Sequence, residues 1–353
     1  MKRVNLISLL TVLISMVANN VLAYDIEMPN NDGVTIYYVF NEDRTELIVS
    51  KNENVKYQGD IVIPSSVTFE GITYPVTGIE DVFNDCTELT SVIIPKSLIH
   101  IETLVFQKCI NLASIQVEEG NSVYDSRENC NAIIESATNT LIAGCKNTII
   151  PNGITAIHNL AFMECLGLTS IKIPNSVINI DLGAFWACKN LVSVELGNNI
   201  EVIAPMAFNS TKISSIILPH SIKQIEFWAF TSCRELADVY CYAQEMPNID
   251  LDINFSAFDC SDWIISASKY PTLHVPEELI ELYKEDAQWG KFRDIVPLTD
   301  DDPKPTGIIS VNSNKNSIDN SVYNLQGHKL SQPQKGLNII RTNDGKTKKV
   351  VVK

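Results

Sequence analysis

The sequence predicts a repeat solenoid, mostly β, with short helical or irregular segments on its convex side and a period of about 23 residues. Three recurrences predict it. Phe83, Phe106, Phe162, Phe185, Phe208 and Phe230 are separated by 23, 56, 23, 23 and 22 residues. Pro95, Pro151, Pro174 and Pro219 each mark a turn, and Gly197 stands where a further Pro is due. Strand-like runs of the form Leu-x-Ser-Ile-x-Ile recur in the same phase. A unit of this size cannot bury its apolar side alone, so stacked copies must share one core.

The chain opens with Lys2 and Arg3, an apolar stretch from Leu6 to Val17, and Val21-Leu22-Ala23, the three parts of an export signal over residues 1–23. Within residues 24–60, Val34–Phe40 and Glu46–Ser50 alternate as strands do around the polar turn Asn41-Glu42-Asp43-Arg44. They predict a β-hairpin that covers the first coil, because the open end of a stack needs a cap.

Repeats follow over 61–275. Period-two alternation sends Leu89, Val92 and Ile94 to the core, with Leu89 less firmly placed because the chain bends there. The opposite side carries a uniform column: Ser91, Ser114, Ser170, Ser193, Ser215 and Asp238. Beside it runs a varied one: Ile93, Gln116, Lys172, Glu195, Ile217 and Tyr240. Uniformity suits a structural ladder. Variety suits a surface that touches a partner, and solvent-facing drift explains it equally well.

The gap of 56 exceeds two periods and holds an insertion at 118–150. Asn131–Ile134 and Thr140–Ala143 read as a β-hairpin jutting from the stack, with Ile133 opposite Ile142 and Ile134 opposite Leu141. That register also sets Cys130 opposite Cys145 at the base, as a disulfide or as two packed thiols.

After Ala257-Phe258 the phase is lost. Pro276, acidic Glu277 and Glu278, and apolar 279, 282 and 283 predict an amphipathic helix. Trp289, Phe292 and Ile295 follow it, completing a helical cap at 276–299. Residues 300–312 begin Asp-Asp-Asp-Pro-Lys-Pro and have linker composition. Residues 313–353 form a small β-module, with Asn343-Asp344-Gly345 between apolar runs as a hairpin turn.

Leu89-Thr90-Ser91-Val92-Ile93-Ile94-Pro95, Leu168-Thr169-Ser170-Ile171-Lys172-Ile173-Pro174 and Phe162-Met163-Glu164-Cys165 resemble the BspA-type leucine-rich repeats of bacterial surface proteins. The likeness spans roughly residues 60 to 298, and Gly197 and Thr211 depart from its Pro and Cys positions. The resemblance implies adhesion or co-aggregation, with a host matrix protein, a glycan or a bacterial surface protein as partner. The tail from Gly336 to Lys353 resembles the C-terminal sorting domain of type IX secretion substrates, which implies the secretion machinery as a further partner.

Composition narrows the function. With 45% apolar and 20% charged residues the chain folds, and after the signal no apolar run is long enough to span a membrane. A formal charge of −15, about −17 once Lys2 and Arg3 are removed with the signal, argues against nucleic acid. No metalloprotease, nucleophile-elbow, P-loop or dinucleotide motif is present, so neither catalysis nor a cofactor is expected. His100, His158, His220, His274 and His328 share no repeat phase and read as surface or edge residues. Asp250–Asn254 begins like a calcium loop, but Phe255 stands where its Gly belongs. Cys86, Cys109, Cys165, Cys188 and Cys233 each follow a repeat Phe by three residues, as buried thiols filling one slot per coil.

These readings make an exported, cell-surface, non-catalytic protein that binds through its solenoid face. Gln116, Lys172, Glu195, Ile217 and Tyr240 are the candidate ligand residues. A structural or spacer protein of the envelope is the alternative.

Overall fold

In the computed structural model the described residues are 24–80, 82–249, 256–260 and 269–305, with the backbones of four strands beyond residue 321. The expected export signal, the calcium-like loop and His328 lie outside them. The chain divides into two units, Met1–Ile308 and Ile309–Lys353.

Coils stack in the first unit with parallel ladders on two sides. One side carries Leu89–Ile94, Ser114–Val117, Ser170–Lys172, Ser193–Glu195, Ser215–Leu218 and Asp238–Cys241. The other carries two-residue strands, Ala156–Ile157, Asn179–Ile180, Val202–Ile203, Gln224–Ile225 and Asn248–Ile249, each paired parallel to the next. Leu89, Val92 and Ile94 are all fully buried, and Thr90 between them is exposed. The period-two expectation therefore holds through the bend.

The recurring Phe makes an aromatic spine. Phe162, Phe185, Phe208, Phe230 and Phe258 stack with centroids 4.9, 5.1, 5.4 and 4.9 Å apart. The backbone bends sharply around the rings of Phe106, Phe162, Phe185, Phe208 and Phe230. Residues two before each Phe (Leu104, Leu160, Gly183, Met206, Trp228) and two after it (Lys108, Glu164, Ala187, Ser210, Ser232) all have positive φ. A left-handed non-Gly residue costs roughly 1–2 kcal/mol. Bonds between coils offset it: Phe162 N–H donates to Ala184 O, Phe185 to Ala207 and Phe208 to Ala229, all at 2.8 Å.

All nine cysteines are buried and free. The slot three residues after Phe has a polar purpose besides packing. Cys109, Cys188 and Cys233 donate their thiols to the carbonyls of Phe83, Phe162 and Phe208 in the preceding coil, at 2.9, 2.9 and 3.1 Å. Thr211 fits the same slot because its hydroxyl meets the Cys233 sulfur at 3.3 Å. Gly197 replaces Pro for a steric reason, since a Cβ there would fall 2.4 Å from the Pro174 carbonyl oxygen.

The insertion differs from expectation. Its hairpin, Ala132–Glu135 with Thr140–Gly144, does not jut out but is built into the stack. Thr140–Gly144 pairs parallel with Ala156–Ile157, and only the tip, residues 136–138, is exposed. A bulge between Ile133 and Ile134 pairs Ile133 with Ala143 rather than Ile142, although Ile134 still faces Leu141. The strand is buried on both faces: Ala132 and Ile134 enter one hydrophobic cluster, Ile133 the other. Gly144 is needed at the junction, because a Cβ there would lie 2.0 Å from the Phe162 ring. Cys130 and Cys145 lose the expected register and sit as free thiols in different clusters. Cys145 Sγ lies 3.3 Å from Asn131 O instead.

At the N-terminal end the expected hairpin gains a strand, Ile26–Pro29, and its last strand, Leu47–Ser50, pairs parallel with Ile72–Ile79. Asn41 Oδ1 closes the turn by accepting from the Thr45 and Glu46 backbones. A second hairpin, Ser66–Phe69 with Ile72–Ile79, turns through Glu70 and Gly71 at φ +51° and +81°. Positive φ at both central residues matches the twist of the strands. At the other end a short helix, Ile280–Glu285, is flanked by 3-10 turns. Tyr283, Trp289 and Phe292 are buried, and the last two rings meet Phe258 at 5.6 and 5.0 Å, ending the spine. Leu282, expected on the apolar face, is 48% exposed, because the short helix turns Ile280 and Tyr283 towards the core instead.

Residues 300–305 are not a free linker. They return to the first unit, where Pro305 is buried.

The second unit is a four-stranded antiparallel sheet, with Lys329–Leu330, Val322–Tyr323, Gly336–Arg341 and Thr347–Val352 adjacent in that order. The last two pair from Gly336 with Val352 to Arg341 with Thr347. The Asn343-Asp344-Gly345 turn lies outside the described residues.

Candidate functional site

The outward faces of the three short sheets that carry the repeat strands hold every candidate ligand residue. Strand register puts Ile93 beside Gln116, Lys172 beside Glu195, and Ile217 beside Tyr240. Gln116 and Lys172 are not neighbours, because their strands belong to separate sheets. Lys172 Nζ reaches Glu195 Oε1 at 2.5 Å with its side chain 72% exposed, so this ion pair contributes little to stability. The inner column follows its own register: Ser91 beside Ser114, Ser170 beside Ser193, Ser215 beside Asp238. It starts one strand earlier, at Asp60, whose carboxylate accepts from Ser91 and Thr90 at 2.6 and 2.7 Å. Those two bonds hold the Asp60 pKa below the ordinary carboxyl value.

The ladder breaks between Ser193–Glu195 and Ser215–Leu218, which belong to separate sheets. The repeat from Phe208 is one residue shorter than its predecessor, and the lost residue lies before Ile213. A groove of about 420 Å3 opens there, lined by Ser193, Glu195, Ser215, Ile217 and Pro305.

Beyond Tyr240 the varied column continues to His274, which is in repeat register and not the out-of-phase surface or edge residue that the sequence suggests. Its ring stacks on Tyr240 at 4.3 Å, Nε2 lies 3.0 Å from Asp238 Oδ1, and Nδ1 lies 3.9 Å from Asp302 Oδ1. Both ring nitrogens face carboxylates. Burial, then the charges of Asp238 and Asp302, raise the Tyr240 pKa. A signal for this residue existed, since Thr272-Leu273-His274-Val275-Pro276 repeats the form of Ser215-Ile216-Ile217-Leu218-Pro219.

A second pocket, about 460 Å3, is lined by Lys189, Lys212 and Arg234 with Ser210, Ser232 and Glu235. The three cations sit four residues after successive Phe, a phase that stacks them in an otherwise acidic chain. Among the described residues no group of three His, Cys, Asp or Glu could hold a metal ion, and no helix is long and apolar enough to cross a membrane. The arrangement offers recognition chemistry: an ion pair, an apolar Ile, an aromatic-imidazole stack and flanking carboxylates.

Comparison with known proteins agrees with the fold. The profile of the BspA type leucine rich repeat region matches six copies over residues 60–148 and 132–261. None of the curated proteins matches the chain. Among solved structures, a leucine rich cell surface protein from Faecalibacterium prausnitzii A2-165 is similar at 16% identity, covering 78% of this chain and 95% of its own, with a TM-score of 0.39. The pneumococcal vaccine antigen PcpA is similar at 12% identity, covering 78% and 99%, with a TM-score of 0.40. A leucine-rich repeat protein from Bacteroides ovatus ATCC 8483 is similar at 18%, covering 78% and 77%, with a TM-score of 0.39. Because the profile takes in more than half of the sequence, the chain belongs to the BspA type leucine rich repeat family.

Proposed function

We propose that this is an exported, non-catalytic surface protein that binds a protein or glycan through the outward face of its repeat strands. One observation carries the reading. The same face holds a uniform inner column and a varied outer one, with Lys172, Glu195, Ile217 and Tyr240 displaying charge, an apolar side chain and an aromatic ring on a fixed frame. A broad sheet suits a macromolecular ligand better than a small one. The family is one of surface proteins, which supports adhesion to a host matrix protein or to another bacterial surface.

Export rests on residues 1–23, and surface attachment on the sorting-like tail at 313–353. Screening the full secreted chain against matrix proteins and glycans tests the binding reading. Saturable binding to at least one of them is expected, and a folded protein that binds none would favour a spacer of the envelope. N-terminal sequencing should find Tyr24 first. Deleting 313–353 should leave the protein trapped in the periplasm, and unchanged surface display would remove the sorting role.

A further inference from the structure

The polar stretch after the helical cap lies on the proposed binding face. Tyr242 is two residues beyond Tyr240 and points outward with it, yet is only 9% exposed. Pro303 and Lys304 lie against it. The Tyr242 hydroxyl donates to Pro303 O at 3.0 Å, and the Lys304 ammonium lies 5.7 Å from the Tyr242 ring centroid. Burial, then the charge of Asp302, pushes the Tyr242 pKa up to about 12, so this hydroxyl stays a donor at neutral pH. Asp302 faces His274 and has only 14% of its side chain exposed. Pro305 is buried and forms part of the groove with Ser193, Glu195, Ser215 and Ile217.

The segment also shapes itself for this seat. Asp302 Oδ2 accepts from the Thr299 backbone at 2.6 Å and from its hydroxyl at 3.0 Å, while Lys304 Nζ donates to Thr299 O at 2.8 Å. Two prolines in Asp-Pro-Lys-Pro restrict the chain and remove two backbone donors. A proline-containing segment set against a tyrosine whose hydroxyl donates to a prolyl carbonyl is a recurring way of recognising peptides.

We infer that Tyr240, Tyr242, His274 and the groove at Glu195 and Ile217 form a site for an Asp-Pro-x-Pro peptide, which the chain's own residues 302–305 occupy as a tethered self-ligand. A tethered occupant holds its site at an effective concentration of about millimolar, so an external peptide enters only when it outcompetes the strap. The site lies on the proposed binding face and so deepens that reading. Its test needs no outside ligand, so the two can fail separately.

A fluorescent peptide spanning residues 299–307 is titrated against the full chain and against a strap variant carrying Asp302→Ala, Pro303→Ala and Pro305→Ala. The variant should bind it about tenfold or more tightly than the wild type, because the tethered competitor is gone. Adding Tyr242→Phe should weaken that binding by roughly three- to tenfold, the worth of one hydrogen bond. A scrambled peptide binding the variant as well as the native one would overturn the inference. Hydrogen exchange on Tyr242→Phe alone, with the strap sequence intact, gives a second reading. Amides of 298–302 and 304 should exchange faster than in the wild type, and unchanged exchange would contradict the strap's attachment.

Discussion

Ile133 and Ile134 are consecutive in the chain, and their side chains enter different hydrophobic clusters. The strand they share is therefore a partition inside the stack, with cores on both sides and a bulge at the point of changeover. Truncating either Ile to Ala should cost about 2–5 kcal/mol in urea unfolding, the range for a fully buried aliphatic side chain. A cost under 1 kcal/mol at either position would show that one face of the strand is open to solvent.

The same partition keeps Cys130 and Cys145 apart. Burial pushes the Cys130 and Cys233 thiols up to about 11 and Cys165 to about 12, so each holds little thiolate at pH 8. Native protein should resist alkylation at that pH, and all nine cysteines should react once it is unfolded. Non-reducing peptide mapping of exported protein should find Cys130 and Cys145 free. A bridged 130–145 peptide would contradict the register described.

The aromatic spine sets the cooperativity of the stack. Phe208 lies between Phe185 at 5.1 Å and Phe230 at 5.4 Å, and is fully buried. Phe208→Ala should cost about 3–5 kcal/mol. Because each coil touches only its neighbours, the loss should also broaden the melting transition by uncoupling the two halves. A sharp transition at the wild-type temperature would remove the spine from the account.

Asp125 gives the insertion a pH dependence. Burial alone would raise its pKa, but hydrogen bonds from Arg127 and Ser136 outweigh burial and leave it below the ordinary value of 3.8. A depressed native pKa gives stability that is fully present above the unfolded value and lost as pH falls through the native one. Asp125→Asn should cost about 1 kcal/mol at pH 7, the discounted worth of a partly exposed charged pair. That cost should shrink as the pH is lowered below 3.8 and through the native pKa. An equal cost at pH 7 and below the native pKa would show that the charge is not what matters.

Much of the fold was legible because Phe, Leu and Pro recur in one phase, and a repeated local rule reports tertiary packing directly. Ile171, Val194 and Ile216 follow from alternation alone. The hairpin's register was not legible, since a single bulge residue changes every pairing below it while leaving the apolar pattern intact. The strap was hidden for another reason: Asp-Asp-Asp-Pro-Lys-Pro has the composition of a linker, and its seat depends on Tyr242 and His274, far away in sequence. His274 was readable in principle from the Thr-Leu-His-Val-Pro run, whose form matches the repeat strands. Phase loss after Phe258 concealed it.

Tyr240 also shows where the candidate site was only half visible. Alternation places it on the outward face, but its contact with His274 makes it a supported ring rather than a free one. Its substitution is the costliest of the four for stability, and Lys172, Glu195 and Ile217 should each cost less than about 0.5 kcal/mol.

Binding of the full chain to its ligand, compared with a chain carrying Lys172→Ala, Glu195→Ala, Ile217→Ser and Tyr240→Ala, tests the central claim most directly. Equilibrium binding should fall by more than about a hundredfold, since paired charges and an aromatic anchor carry most of such an interface, while circular dichroism still reports the folded stack. Undiminished binding by the folded variant would contradict the claim and move the ligand surface off this face.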